Sequence, residues 1–206
     1  MKENRLKEQV FKDIREALID RNEVADCDAP TTVGNTFIDP KGDDLSVVFA
    51  QNFTRAGGTL HYCYNEKDIR KRILEIQRLH GDIAIGCASE NLTGFLKHLD
   101  VENCCTCDRS KQYPLGAILC EALIAWQGSI VISSNLGLGL TVPALPETTM
   151  VLAFTSQVVS DWEAANERLR LLYPQYPDLT VVTHPAAYSY RKGLQKLYLI
   201  LIEDED

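Results

Sequence analysis

The chain has 206 residues, with 21 basic and 29 acidic side chains, a formal net charge of -8, and 45% hydrophobic and 8% aromatic content. At roughly 150 residues per domain this is one domain with a sizeable core, which excludes a disulfide mini-protein and wholesale disorder. The acidic balance argues against DNA or RNA as the main partner, because phosphate binding needs clustered Lys and Arg.

Spacings of three and four place Leu6, Val10, Ile14, Ala17 and Leu18 on one face of an amphipathic helix within residues 2–21. Residues 22–42, with Pro30 and Pro40, read as a long loop. A second helix starts at Asp43, with Leu45, Val48, Phe49 and Phe53 on its apolar face, and stops at Gly57-Gly58. A strand over 59–63 follows. Asn65 then caps a helix with Ile69, Ile73, Ile76 and Leu79 on its buried face, closed by His80-Gly81, and 82–86 is a short strand. Helix and strand alternate with connections too long for hairpins, which predicts a parallel α/β sheet.

Residues 89–99 read as a short helix capped by Ser89, and 101–107 as a strand or loop. Two apolar runs, 118–125 and 129–133, flank Trp126-Gln127-Gly128 as a hairpin would. A strand over 149–154, a helix over 156–172 capped by Ser156 or Ser160, and strands over 180–183 and 197–202 complete the domain, with 203–206 as a frayed acidic tail. The organisation is therefore an N-terminal helix and loop over 1–42 and one α/β domain over 43–206. No run reaches the ~18 apolar residues of a membrane span. No signal-peptide core opens the chain, and the seven cysteines include adjacent Cys104 and Cys105. Both features suit reduced thiols in a cytosolic protein better than a secreted disulfide framework.

Several residues carry possible chemistry. Cys104, Cys105 and Cys107 are thiols in one compact cluster, but zinc ribbons and ferredoxins need repeated pairs two residues apart, so no metal is assigned. His61 and Cys63 share one side of a strand. His184 ends a strand before Pro185, near Tyr188, Tyr190 and Arg191, where ligands of parallel sheets collect. Asn135, Gly137 and Gly139 form a loop able to approach an anion, or a plain tight turn. It lacks the third glycine of a dinucleotide fingerprint and the Lys of a P-loop, so no nucleotide cofactor is assigned. Glu121 interrupts an apolar run, and so either faces a cleft or pairs with an Arg.

From Phe49 to Phe154 the order of elements resembles the LUD-domain family typified by lactate-utilisation protein C. The segment from Cys120 to Ser134, Cys-Glu-Ala-Leu-Ile-Ala-Trp-Gln-Gly-Ser-Ile-Val-Ile-Ser-Ser, lies where the family reads roughly Ala-Asp-Ala-Ala-Ile-Ala-Glu-Thr-Gly-Thr-Leu-Val-Leu. Trp126-Gln127-Gly128 stands at the family's Glu-Thr-Gly, Leu140 at an Arg, and Thr149 at a His. Only His184-Pro185 remains of a family segment near the C-terminus, while Glu121 occupies an Asp position.

The resemblance implies an open, mostly parallel sheet with helices on both faces, the fold of sugar-phosphate isomerases and CoA transferases. It also implies a role beside iron-sulfur partner proteins in oxidising L-lactate. The expected cleft is bounded by Glu121, Gln127, Gly128, Ser129, Ser133, Asn135, Gly137 and Gly139, with His184 nearby. Asn52 and Arg55 enter it from the second helix, Arg55 as the group for a carboxylate or phosphate, or else as a surface Arg favoured by the helix dipole. Three readings follow. The chain is an accessory or regulatory subunit of organic-acid utilisation with a small-anion cleft, or a CoA transferase or isomerase relative using Glu121, or a non-catalytic protein that dimerises through its N-terminal helix.

Overall fold

The computed structural model describes residues 44–108, 113–136, 146, 148–186 and 196–204. The N-terminal helix and loop expected before Asp44, Gly137, Gly139, Leu140 and the tyrosines near His184 lie outside the described residues.

Six strands form one fully parallel sheet: β1 (Thr59–Cys63), β2 (Ile85–Cys87), β3 (Cys104–Thr106), β4 (Leu115–Leu119), β7 (Thr148–Phe154) and β10 (Lys196–Ile202), in the order β1-β10-β7-β4-β2-β3. The expected open α/β sheet flanked by helices is present. Helix α1 (Leu45–Arg55) is capped by Asp44, whose carboxylate accepts the Ser46 N–H at 2.8 Å, and it ends where Gly57 takes a φ of 101°. Asn65 caps α2 (Glu66–Leu79) and Ser89 caps α3 (Glu90–His98), each as the sequence predicts. The strand expected from Asp82 starts later, at Ile85, because Asp82 itself turns the chain with a φ of 55°.

Alternation along β10 shows how the sheet is buried on both faces, as parallel sheets require. Leu197, Leu199 and Leu201 face α1, and Tyr198, Ile200 and Ile202 face α2 and α3. Beside α1, however, lies a second sheet that the sequence did not announce. It is built from β5 (Ala122–Ile124), β6 (Ser129–Ser133), β8 (Val158–Val159) and β9 (Thr180–Thr183), ordered β8-β5-β6-β9. Its inner residues Leu123, Ile130 and Ile132 join the α1 core, and its outer residues Ala122, Ile124 and Val131 are covered by Ala165 and Leu169 of α4 (Trp162–Leu172).

Three expectations change accordingly. The apolar run 118–125 is two strands in two different sheets, since β4 ends at Leu119 and the chain crosses at Cys120-Glu121 into β5. The hairpin itself is real, with β5 antiparallel to β6. The helix expected from Ser156 begins only at Trp162. Thr155–Gln157 is a single 3-10 turn, Val158–Val159 is a strand, and the cap is Asp161, which accepts the Ala164 N–H at 2.9 Å. The tail is tied down at Asp204, which accepts hydrogen bonds from the Thr155 hydroxyl at 2.7 Å, the Ser156 N–H at 2.6 Å and the Ser156 hydroxyl at 3.0 Å. Among the described residues no helix is long and apolar enough to cross a membrane.

Candidate functional site

Glu121 sits at the crossing between the two sheets and is only 3% exposed. One carboxylate oxygen accepts hydrogen bonds from the Ser133 hydroxyl, at the far end of β6, and from the Tyr173 hydroxyl just beyond α4 at 2.8 Å. The Ser133 oxygen in turn accepts the Asn135 N–H at 3.2 Å. Burial and the neighbouring carboxylate push the Tyr173 hydroxyl up to about 12, so it stays a donor at neutral pH. Of the two expected settings for Glu121, a cleft or an Arg partner, its carboxylate has neither among the described residues: it is buried and held by this hydroxyl cage. Arg168 is close, but its Nε donates to the Glu121 main-chain carbonyl at 3.0 Å, and its terminal nitrogen to the Ser156 carbonyl at 3.1 Å. Gln157 secures the same crossing from the β7 side, donating to the Cys120 carbonyl and accepting the Phe154 N–H, both at 2.7 Å.

A second group forms at the hairpin turn, the opposite end of β6. The Asn52 amide, buried on α1, donates to the carbonyls of Ala125 at 2.9 Å and Trp126 at 3.1 Å. His184, following β9, donates from Nε2 to the Gln127 carbonyl at 2.9 Å, while its Nδ1 accepts the Ala186 N–H at 3.3 Å. That pair of bonds fixes the neutral Nε2–H tautomer. Gly128 has a φ of +65°, and a Cβ built there would lie 2.4 Å from the Phe53 nitrogen and 2.7 Å from the Asn52 carbonyl carbon. The turn thus packs backbone against backbone on α1, which only glycine permits.

The structure therefore divides the expected cleft. Asn52, Gln127, Gly128 and His184 meet at the turn, where buried Ser129 begins β6. Glu121, Ser133 and Asn135 meet at the other end, about 13 Å away at ~3.4 Å per strand residue. Arg55 is exposed in the last turn of α1. Exposed Trp126 and fully buried Thr149 occupy two positions of the resemblance. The Thr149 hydroxyl donates to the Pro146 carbonyl at 3.1 Å.

His61 stacks on Tyr198 at 6.4 Å between ring centres, and His80 bonds the Tyr198 hydroxyl at 3.2 Å. Cys104 is buried, Cys107 half-buried and Cys105 exposed. Burial pushes Cys87 up to about 12 and Cys107 to about 11, which makes both poor nucleophiles. Among the described residues no group of three His, Cys, Asp or Glu could hold a metal ion. Sequence reasoning missed Gln157, Arg168, Tyr173 and Asp204, because each acts only on residues brought near by the second sheet or by the β7–β10 register.

Burial lowers the pKa of His61, His80 and His184 below 6.5, with Arg72 adding to the effect at His61 and Lys196 at His80. The folded chain then binds fewer protons than the unfolded chain, so this contribution to stability is complete above pH 6.5 and is lost as pH falls through the folded pKa values. Thermal melts between about pH 5 and 8 should show a midpoint that declines on the acid side of 6.5, with a shallower decline in His184→Gln. A pH-independent midpoint would contradict the neutral, buried state of these rings.

The sequence matches no protein-family model and no curated protein. Among solved structures the chain is similar to the crystal structure of a DUF162 family protein from Deinococcus radiodurans, at 11% identity and a TM-score of 0.61, over 77% of this chain and 96% of that one. At that identity the likeness establishes the fold.

Proposed function

We propose that this chain is a LUD-type protein, the family to which DUF162 corresponds, acting as an accessory or regulatory subunit in L-lactate or related organic-acid utilisation. The observation that carries this reading is the fold likeness across almost the whole length of the DUF162 protein. The site geometry favours an accessory role over an active transferase. The Asn52 and His184 side chains are engaged in main-chain ties, and Glu121 is enclosed by two hydroxyls, with no imidazole or guanidinium on its carboxylate among the described residues. Acid-base chemistry works best with groups poised to exchange protons with a substrate, and a caged carboxylate lacks that access. On this reading the protein is cytoplasmic, its partners are the iron-sulfur proteins of lactate oxidation, and Arg55 offers a cation for a small carboxylate.

The test is reconstitution of L-lactate oxidation by such iron-sulfur partners with and without the full chain. The expected result is stimulation of acceptor reduction by the added chain, with no turnover of lactate, CoA thioesters or sugar phosphates by the chain alone. Turnover by the isolated chain that Glu121→Gln abolishes would establish the transferase or isomerase reading instead. Deleting residues 1–21 and comparing sizes by chromatography tests the third reading, since a dimer held by that segment should become monomeric.

A further inference from the structure

Next to the Glu121 end of the hairpin, on the other side of Tyr173, a groove of about 580 Å³ opens between α4 and the chain that leaves it, lined by Asn166, Arg170, Tyr173, Pro174 and Tyr176. Asn166 and Arg170 are one helical turn apart, so their side chains stand on the same strip of the helix. Among the described residues no hydrogen bond or ion pair occupies the Arg170 guanidinium. The Tyr173 hydroxyl is turned inward to Glu121 at 2.8 Å, which leaves its ring as what it offers the groove.

Charge and size together select a ligand class. One guanidinium is the only cation among the described lining residues, and it stands at the C-terminal end of α4, where the helix carries partial negative charge. A single carboxylate is matched in charge and shape by one guanidinium fork and a neighbouring amide. Cavities of roughly 300 to 1,000 Å³ suit drug-sized molecules, so a three-carbon acid would leave most of this space unfilled. Two tyrosines and a proline among the lining residues offer aromatic and apolar surface to the ring of such a ligand.

We propose that this groove binds a monocarboxylate with an aromatic body, its carboxylate held by Arg170 and Asn166 and its ring against Tyr173 and Tyr176. The inference does not depend on the organic-acid role argued above, since it uses none of the residues invoked there except the ring of Tyr173.

The test is an amide-resolved NMR titration of the full chain with 2-naphthoate, with L-lactate and inorganic phosphate as comparison probes. Saturable shifts confined to residues around 166–176 are expected with naphthoate, weakened about tenfold in Arg170→Ala, the cost of one charge-assisted hydrogen-bonded contact. Tyr176→Ala, which keeps the cation and removes a wall, should weaken naphthoate and leave any lactate shifts unchanged. Both substituted side chains are exposed, so the variants should melt with the parent. Absence of saturation at about 10 mM naphthoate, where even a very weak site would fill, would overturn the proposal. So would an unchanged affinity in Arg170→Ala, or tighter binding of phosphate than of naphthoate.

Discussion

Gly128→Ala should destabilise the folded chain by about 3 to 5 kcal/mol, among the largest effects of a single added methyl. Two costs combine. A side chain at a φ of +65° is strained by about 1 to 2 kcal/mol wherever it occurs. The new Cβ would also stand 2.4 Å from the Phe53 nitrogen and 2.7 Å from its Cα, and these are backbone atoms of a helix, unable to swing aside like a side-chain tip. The turn must then lift off α1 and stretch the two bonds from the Asn52 amide. At roughly 2 to 4 °C per kcal/mol for a chain of this size, the thermal midpoint should fall by about 6 to 20 °C. Gly81→Ala is the control, since Gly81 also has a positive φ, of 85°, but nothing lies within 4 Å of where a Cβ would stand there. It should cost only the conformational strain, so equal losses in the two variants would show that the contact with α1 contributes nothing.

Glu121 provides the second large effect and separates scaffold from chemistry. In Glu121→Ala the Ser133 and Tyr173 hydroxyls lose their shared acceptor, and a buried space opens between the sheets and α4. Together these should cost about 3 kcal/mol. Glu121→Gln keeps an acceptor oxygen in the same place and should cost about 1 kcal/mol, the difference between a charged and a neutral acceptor. Chemical denaturation of the three proteins measures both numbers. If alanine and glutamine prove equally mild, the carboxylate does not organise the crossing between the sheets.

Much of the fold is legible in the sequence because its signals are local. Apolar spacing and the caps Asn65 and Ser89 locate α2 and α3 to within a residue, and Gly57-Gly58 ends α1 where expected. The differences have one physical source. A buried parallel strand and a buried hairpin strand are both continuous apolar runs, so nothing between Ile118 and Ala125 marks the change of sheet except Glu121, whose position in an apolar run signals burial but not a crossing. Val158 and Val159 read as part of a helix because a two-residue strand has no period to detect. The candidate site is harder still. Residues 125–128 attract notice as a motif, yet Gly128 is demanded by the helix beneath it, and Asn52 lies 73 residues from the carbonyl it holds. Tyr173 and Arg168 meet the crossing only because α4 lies on the outer sheet, a placement that no spacing in the sequence encodes.

The strand order has a consequence for how the molecule is made. β10 is inserted between β1 and β7, so β1 joins the sheet through β10 alone. During synthesis β1 leaves the ribosome more than 130 residues before Lys196–Ile202 arrives to pair with it. At ~5 to 20 residues per second, that interval is at least several seconds. Throughout it β1 lacks its partner strand, and over the last third, once Thr148–Phe154 has been made, the facing edges of β1 and β7 both present unpaired backbone and the apolar side chains of two half-built cores. A nascent chain of this design is therefore a natural client for chaperones until its final strand slots in, and a stop codon before residue 196 should yield a sticky, protease-sensitive fragment whose defect lies in assembly of the sheet.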